Sequence, residues 1–309
     1  MNVPDIAIKT NHLSKHFGDR VAVNDLNIEI KQGEIFSLLG TNGAGKTTTI
    51  RMLCCLIKPT LGNASVLNFN LSDSPLSIKN IIGVSPQETA IAGHLNSKEN
   101  LLLMGGVYGL KSAENNERAR KLMDLLEIED RKDRVTKLSG GLQRRLSIAM
   151  ALMSDPQILF LDEPTLGLDP HARKSVWKYI EKLKKQKTIL LTTHYLEEAD
   201  SLADTIAIME KGKIIEMGTS RELKMRYSSK KVLKIASDTV SDKVLAMLRS
   251  QGLEVNTLPD GIEIKALEFD FYPLFDSLRQ NGVIIKNITM EEPTLDEVFI
   301  HLTNKEGKQ

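Results

Sequence analysis

The stretch Glu34-Ile35-Phe36-Ser37-Leu38-Leu39-Gly40-Thr41-Asn42-Gly43-Ala44-Gly45-Lys46-Thr47 decides how this chain folds. Its apolar opening predicts a buried strand over Glu34–Leu39. The remainder spells G-x-x-x-x-G-K-[ST] and leads into residues that predict a helix through Ile57. A strand, a glycine-rich loop and a helix in that order can wrap a triphosphate in backbone N–H groups. Glycine lets the main chain approach the phosphates, and the helix N-terminus adds a partial positive charge. Lys46 supplies a point charge for the β and γ phosphates, and Thr47 a hydroxyl for Mg²⁺.

Outward from this loop, strands predicted at Ile81–Ser85, Ile158–Asp162, Thr188–Thr192 and Thr205–Met209 alternate with helices. The helices are predicted at Glu114–Leu126, Gly141–Met153, His171–Lys184 and Tyr195–Leu202. Alternation of this kind points to an α/β domain with a largely parallel central sheet. Ile6–Ile30 predicts short strands with turns at Phe17-Gly18-Asp19 and Asn24-Asp25, giving an antiparallel edge. Around Lys224–Lys231, with Ser228 and Ser229 in the middle, the composition turns polar and basic. The expected division is therefore a domain over 6–226 and a second over 231–309. The second predicts strand Val232–Ala236, helix Asp242–Gln251, strands Leu253–Thr257 and Ile262–Lys265, helix Phe271–Gln280, strand Val283–Met290 and a helix from Leu295. That order fits a small ferredoxin-like α+β unit with one helix appended.

Composition narrows the function. The 309 residues hold 41 Lys+Arg against 40 Asp+Glu, a net charge of +1, so no global field draws the chain to nucleic acid or acidic lipid. Hydrophobic residues make up 41% and charged ones 26%, which excludes a disordered chain. Cys54 and Cys55 are adjacent, which suits buried packing in a reducing compartment better than a disulfide framework. Met1–Asp5 lacks the basic and apolar character of a signal peptide, and no apolar run approaches the ~20 residues that span a bilayer. Met52, Leu53 and Leu56 are expected in the core; Lys182, Lys184, Lys185 and Lys187 are expected at a solvated helix end and turn.

Two further stretches carry chemistry. Ile158-Leu159-Phe160-Leu161-Asp162-Glu163-Pro164 places two carboxylates at the C-terminal end of a buried strand, the end where parallel sheets bind ligands. Neighbouring side chains on a strand point to opposite sides, so Asp162 suits a Mg²⁺ shell and Glu163 suits polarising the water that attacks a γ-phosphate. Leu138-Ser139-Gly140-Gly141-Leu142-Gln143-Arg144-Arg145 opens a helix, with Ser139 as N-cap and the two glycines in the first turn. Alone it reads more readily as a capped helix start than as a site; beside the other motifs it becomes a second anion site.

The phosphate loop, LSGG, FLDEP, Gly167-Leu168-Asp169, Gln87 and His194 resemble, in order and approximate spacing, an ABC-transporter ATPase subunit over about residues 6–220. The resemblance implies an ABC nucleotide-binding fold with a helical subdomain, and ATP with Mg²⁺ as its cofactors. The implied nucleotide contacts are Gly40, Thr41, Asn42, Gly43, Ala44, Gly45, Lys46, Thr47 and Thr48, with Ser139, Gly140, Gly141 and Asp169 reaching across from a second subunit. Gln87 looks like the residue that reaches Mg²⁺ and the attacking water and senses a membrane partner. His194 looks like the switch histidine at the γ-phosphate. Phe17 stands where an aromatic stacks on adenine, and is as readily an ordinary core residue. Catalysis would fall to Glu163, His194, Gln87 and Lys46, and metal ligation to Thr47, Gln87 and Asp162.

Leu142 replaces the usual Gln of the signature, which the drug-export subgroup tolerates. Arg144-Arg145-Leu146 and the segment Glu291-Glu292-Pro293-Thr294-Leu295-Asp296-Glu297-Val298-Phe299 are similar to the daunorubicin/doxorubicin-resistance type, ATP-binding subunits of ABC-2 exporters. The latter segment also reads as a capped amphipathic helix packing Leu295, Val298, Phe299 and Leu302. The resemblance thus implies a homodimer, or a heterodimer with another ATPase subunit. It would sit on the cytoplasmic side of the membrane and power export through a separate ABC-2 type permease, with no nucleic acid involved. A non-transport ABC ATPase and an importer ATPase are the alternatives.

Overall fold

A computed structural model describes residues 6–184, 186–227, 230–238, 240–291 and 294–306. The chain divides into two compact units, one up to Ser220 and one from Arg221.

The first unit is built on a six-stranded sheet in the order Lys213–Gly218, Thr205–Glu210, Ile35–Leu39, Thr188–Thr193, Ile158–Asp162, Ile82–Ser85. The pairings are parallel except at the edge strand Lys213–Gly218. Ile35–Leu39, Ile158–Asp162 and Thr188–Thr193 are buried at every residue. Their alternate side chains enter different cores: Phe36, Leu38, Phe160 and Leu190 on one face, Ile35, Leu159, Leu161, Ile189 and Leu191 on the other. Burial on both faces explains why these strands read as continuous apolar runs, each large side chain contributing about 1.5–3 kcal/mol. Register then fixes the site. Leu39 pairs with Thr193 and Asp162 with Thr192, so Gly40, Glu163 and His194 leave the sheet side by side.

The antiparallel strands expected near the N-terminus form a second sheet in the order Arg20–Leu26, Ile6–Phe17, Leu61–Val66, Phe69–Asn70, with Glu29–Lys31 also paired to Ile6–Phe17. Asn24-Asp25 is not the turn it was read as. Asp25 sits inside a strand at φ 57°, with its N–H donated to Ser14 Oγ and its carboxylate 2.6 Å from His12 Nδ1. The chain does not reverse there: Arg20–Leu26 and Glu29–Lys31 run in one direction along Ile6–Phe17, both antiparallel to it, with Asn27-Ile28 between them.

The helix after the phosphate loop covers Lys46–Leu53, shorter than expected. Cys55 takes φ 55°, and the Cys55 and Leu56 N–H groups close back on Met52 and Arg51, the bonds of a Schellman end. Met52, Leu53 and Cys54 are buried as expected, whereas Leu56, thrown beyond the helix end, is 62% exposed. The elements absent from the sequence reading include helices Pro75–Ile81 and Ser97–Val107 and the strands Leu61–Val66 and Lys213–Gly218. Lys184 and Lys187 pair with Asp204 and Asp155, and Lys185 lies outside the described residues.

The second unit holds an antiparallel sheet ordered Glu254–Leu258, Gly261–Ala266, Lys231–Ala236, Asn287–Glu291. The two β-α-β halves interleave through helices Asp242–Ser250 and Phe271–Gln280. Leu233, Ile235, Val244, Leu248, Ile262, Ile264 and Leu278 form its core. Val283 belongs to this core and precedes the last strand rather than opening it. In helix Leu295–Glu306, Leu295, Val298 and Leu302 are buried. Ser228 and Ser229 of the boundary segment, and Glu292 and Pro293 of the C-terminal motif, lie outside the described residues.

Candidate active site

The phosphate loop demands glycine at both ends. A Cβ on Gly40 would lie 2.3 Å from the Met209 carbonyl oxygen, and one on Gly45, at φ 111°, 2.5 Å from that of Ala22. Gly45 caps helix Lys46–Leu53 with no side chain to occupy the helix's first N–H groups, which leaves those donors for an anion. Lys46 is 5% exposed. Its Nζ lies 2.8 Å from Gly40 O, 3.2 Å from Thr41 O and 3.1 Å from Glu163 Oε1. Ala44 is buried and takes the Gly212 N–H on its carbonyl.

The neighbouring carboxylates are held apart, as strand alternation requires. Asp162 Oδ1 accepts from Thr47 Oγ1 at 3.1 Å and from Thr192 Oγ1 at 2.6 Å. Glu163 leaves the strand at φ 50°, an uncommon conformation for a residue with a Cβ and one that clusters at functional sites. Its N–H donates to Thr192 O and Oγ1, and its Oε2 lies 2.8 Å from His194 Nδ1. The Glu163 carboxylate is thus gripped between Lys46 and His194, in a setting where Asp162 and Glu163 are each 4% exposed. A cavity of ≈ 250 Å³ opens beside it, lined by Asn42, Gly43, Gly45, Lys46, Thr47, Thr48, Gln87 and Glu163.

The remaining expected residues do not line that cavity. Ser139 caps helix Gly140–Leu152 through Leu142 N–H, and Ser139 and Gly140 are exposed with Gly141 half-buried. Asp169 caps helix Pro170–Leu183 by accepting from the His171 and Ala172 N–H groups, which hold its carboxyl below its ordinary value. Phe17 is 51% exposed with Lys15 Nζ 5.0 Å from its ring centroid, which rules out the core position.

Three features escaped the sequence reading. Arg20 lines the cavity. Arg144 is buried and hydrogen-bonded to the carbonyls of Pro86, Gln87 and Glu163. Glu198 is fully buried and accepts from Thr165 Oγ1 and Trp177 Nε1, burial raising its carboxyl above the ordinary value. Thr165 and Trp177 flank the Asp169 turn, and Glu198 follows His194, so this carboxyl joins the two segments. A charged residue at helical spacing carries no mark of burial in a sequence, so none of the last pair could be told from a solvated face.

Comparison with known proteins agrees with this geometry. The ABC transporter family model matches residues 23–166. The chain is 36% identical over 308 residues to the daunorubicin/doxorubicin resistance ATP-binding protein DrrA of Streptomyces peucetius, covering 97% of this chain and 93% of that one. It is 37% identical to the Nod factor export ATP-binding protein I of Sinorhizobium fredii, covering 98% and 88%. Among solved structures, a dimeric ATP-binding cassette in a post-hydrolysis state bound to ADP and Pi superimposes with a TM-score of 0.63 at 28% identity, over 69% of this chain and 98% of that one. This chain belongs to the ABC transporter family, as one of its ATP-binding and ATP-hydrolysing members.

Proposed function

We propose that this chain is the ATPase subunit of an exporter, acting as a dimer on the cytoplasmic side of the membrane and driving a separate ABC-2 type membrane subunit. Similarity to resistance and export ATP-binding proteins runs through both units, not the ATPase portion alone. Among the described residues no helix is long and apolar enough to cross a membrane, so the transport path would be supplied by another chain.

The observation that carries the chemistry is the placement of Glu163 between Lys46 and His194 at the mouth of the phosphate loop. Incoming β and γ phosphates compete with Glu163 and the loop carbonyls for the Lys46 ammonium. Glu163, freed from Lys46 and still held by His194, accepts a proton from the water that attacks the γ-phosphate. Thr47, Asp162 and Gln87 offer hydroxyl, carboxylate and amide oxygens, a hard donor set that fits Mg²⁺. Mg²⁺ bound there would neutralise charge on the phosphates.

Ser139, Gly140 and Gly141 are exposed or half-buried and stand outside the cavity, which fits delivery of their helix N-terminus to the nucleotide of a second copy. Phe17, half exposed, would stack on the adenine. Purification of the tagged chain from solubilised membranes tests the proposal. A polytopic membrane protein should accompany it, and substrate export from cells should stop in Glu163→Gln while that partner is retained. Recovery of an active ATPase wholly free of membranes, with no membrane partner, would contradict it.

A further inference from the structure

We propose that Arg144 is a positioning residue that clamps the backbone of Glu163 to the backbone at Pro86-Gln87, so that the catalytic carboxylate moves with the segment that follows strand Ile82–Ser85. The proposal rests on the assignment of Glu163 as the base.

Arg144 lies on helix Gly140–Leu152 and is 4% exposed. Its Nη1 donates to Pro86 O at 2.7 Å, and its Nη2 donates to Gln87 O and Glu163 O, each at 2.9 Å. It makes no ion pair among the described residues, which is unusual for a cation taken out of water. Desolvation lowers its affinity for the proton, and the charges of Asp162, Glu198 and Glu163 oppose that loss. The planar fork is what allows one side chain to span carbonyls from two separate segments.

What the clamp holds on one side is the strained peptide of Glu163. At φ 50° that residue is fixed through its N–H by Thr192 and through its carbonyl by Arg144 and by the Leu166 N–H. The direction of the carboxylate toward Lys46 and His194 follows from that backbone setting. On the other side it holds Gln87, whose side chain lines the cavity. Anchoring the helix to the sheet does not require Arg144, because Ser147 Oγ on the same helix already meets Ser85 Oγ at 2.8 Å.

The test uses the full chain with Mg-ATP. Arg144→Met should lower kcat at least about tenfold while KM stays within about threefold, since the phosphate loop is untouched. Arg144→Lys keeps the charge but not the fork, and should recover only part of the loss. In a Glu163→Gln background, followed by single turnover, Arg144→Met should cause no further loss, because the group being positioned is gone. Melting curves on each variant count the folded fraction. An equal loss in both backgrounds, or a loss confined to KM, would overturn the proposal. Should Arg144→Met fail to fold, Arg144→Lys in the same two backgrounds decides by the same criterion. Wild-type turnover in Glu163→Gln alone would remove the assignment of the base, and it is told apart because Arg144 is then intact.

Discussion

The two units of this chain bury different things. Among the described residues, the buried charged side chains are Lys46, Arg144, Asp162, Glu163 and Glu198, and all belong to the unit that ends at Ser220. The unit from Arg221 has its own apolar core, with Ser237 the one buried polar residue among those described. Burying a charge costs several kcal/mol unless it is paired or well hydrogen-bonded, so a fold accumulates such groups where chemistry requires them. One unit is organised around a reaction and the other around packing. Substitutions should divide along the same line.

The largest effect is expected at Glu163. Glu163→Gln should cut turnover about a thousandfold, within the range of a general base, while ATP binding survives. Phosphate release and nucleotide binding measured on the same preparation check it; steady turnover would remove Glu163 from the role. Next comes the packing unit. Leu278→Ala, at a position with no exposure, should cost about 2–4 kcal/mol of stability and leave kcat per folded molecule unchanged. Denaturant melts with parallel turnover assays would blur the contrast if kcat fell as well.

Lys46→Ala should weaken ATP binding by about tenfold or more, the scale of a charge-assisted hydrogen bond. It also strips Glu163 of its nearest cation. Equal binding of labelled ATP by mutant and wild type would break the assignment of the loop. The smallest effect is a pH effect at Glu198. Burial raises its carboxyl above the ordinary 4.5, so the folded chain binds this proton more tightly than the unfolded one. That contribution is complete below the ordinary value and is lost as pH rises through the folded one. Glu198→Gln keeps an oxygen for Thr165 and Trp177 and should gain stability on wild type at about pH 8 relative to about pH 5. Melting temperatures with a constant difference across that range would contradict it.

What could be read from the residues follows the same division between spacing and burial. Gly40, Gly45 and Lys46 were legible because a phosphate loop fixes both residue type and interval, and the structure supplies the steric reason in Met209 and Ala22. The sheet's core strands were legible because burial on both faces leaves unbroken apolar runs. Lys213–Gly218 leaves no apolar run because it lies at the sheet edge with no residue fully buried and Lys213 and Met217 exposed. Helix Ser97–Val107 does carry a local mark in the sequence, because Asn96 and Glu99 form a complete capping box. Arg144 was seen only as part of a subgroup's signature. Its function depends on carbonyls of two segments 19 and 57–58 residues away, which no local pattern encodes.

The central expectation is that the Ser139-Gly140-Gly141 turn of one copy closes over the phosphate loop of another. Sedimentation of Glu163→Gln with and without Mg-ATP measures this directly. The predicted result is single chains without nucleotide, paired chains with two ATP molecules when it is added, and no pairing when Ser139→Arg is introduced as well. ATP held tightly by chains that stay single, with Ser139→Arg making no difference, would contradict it.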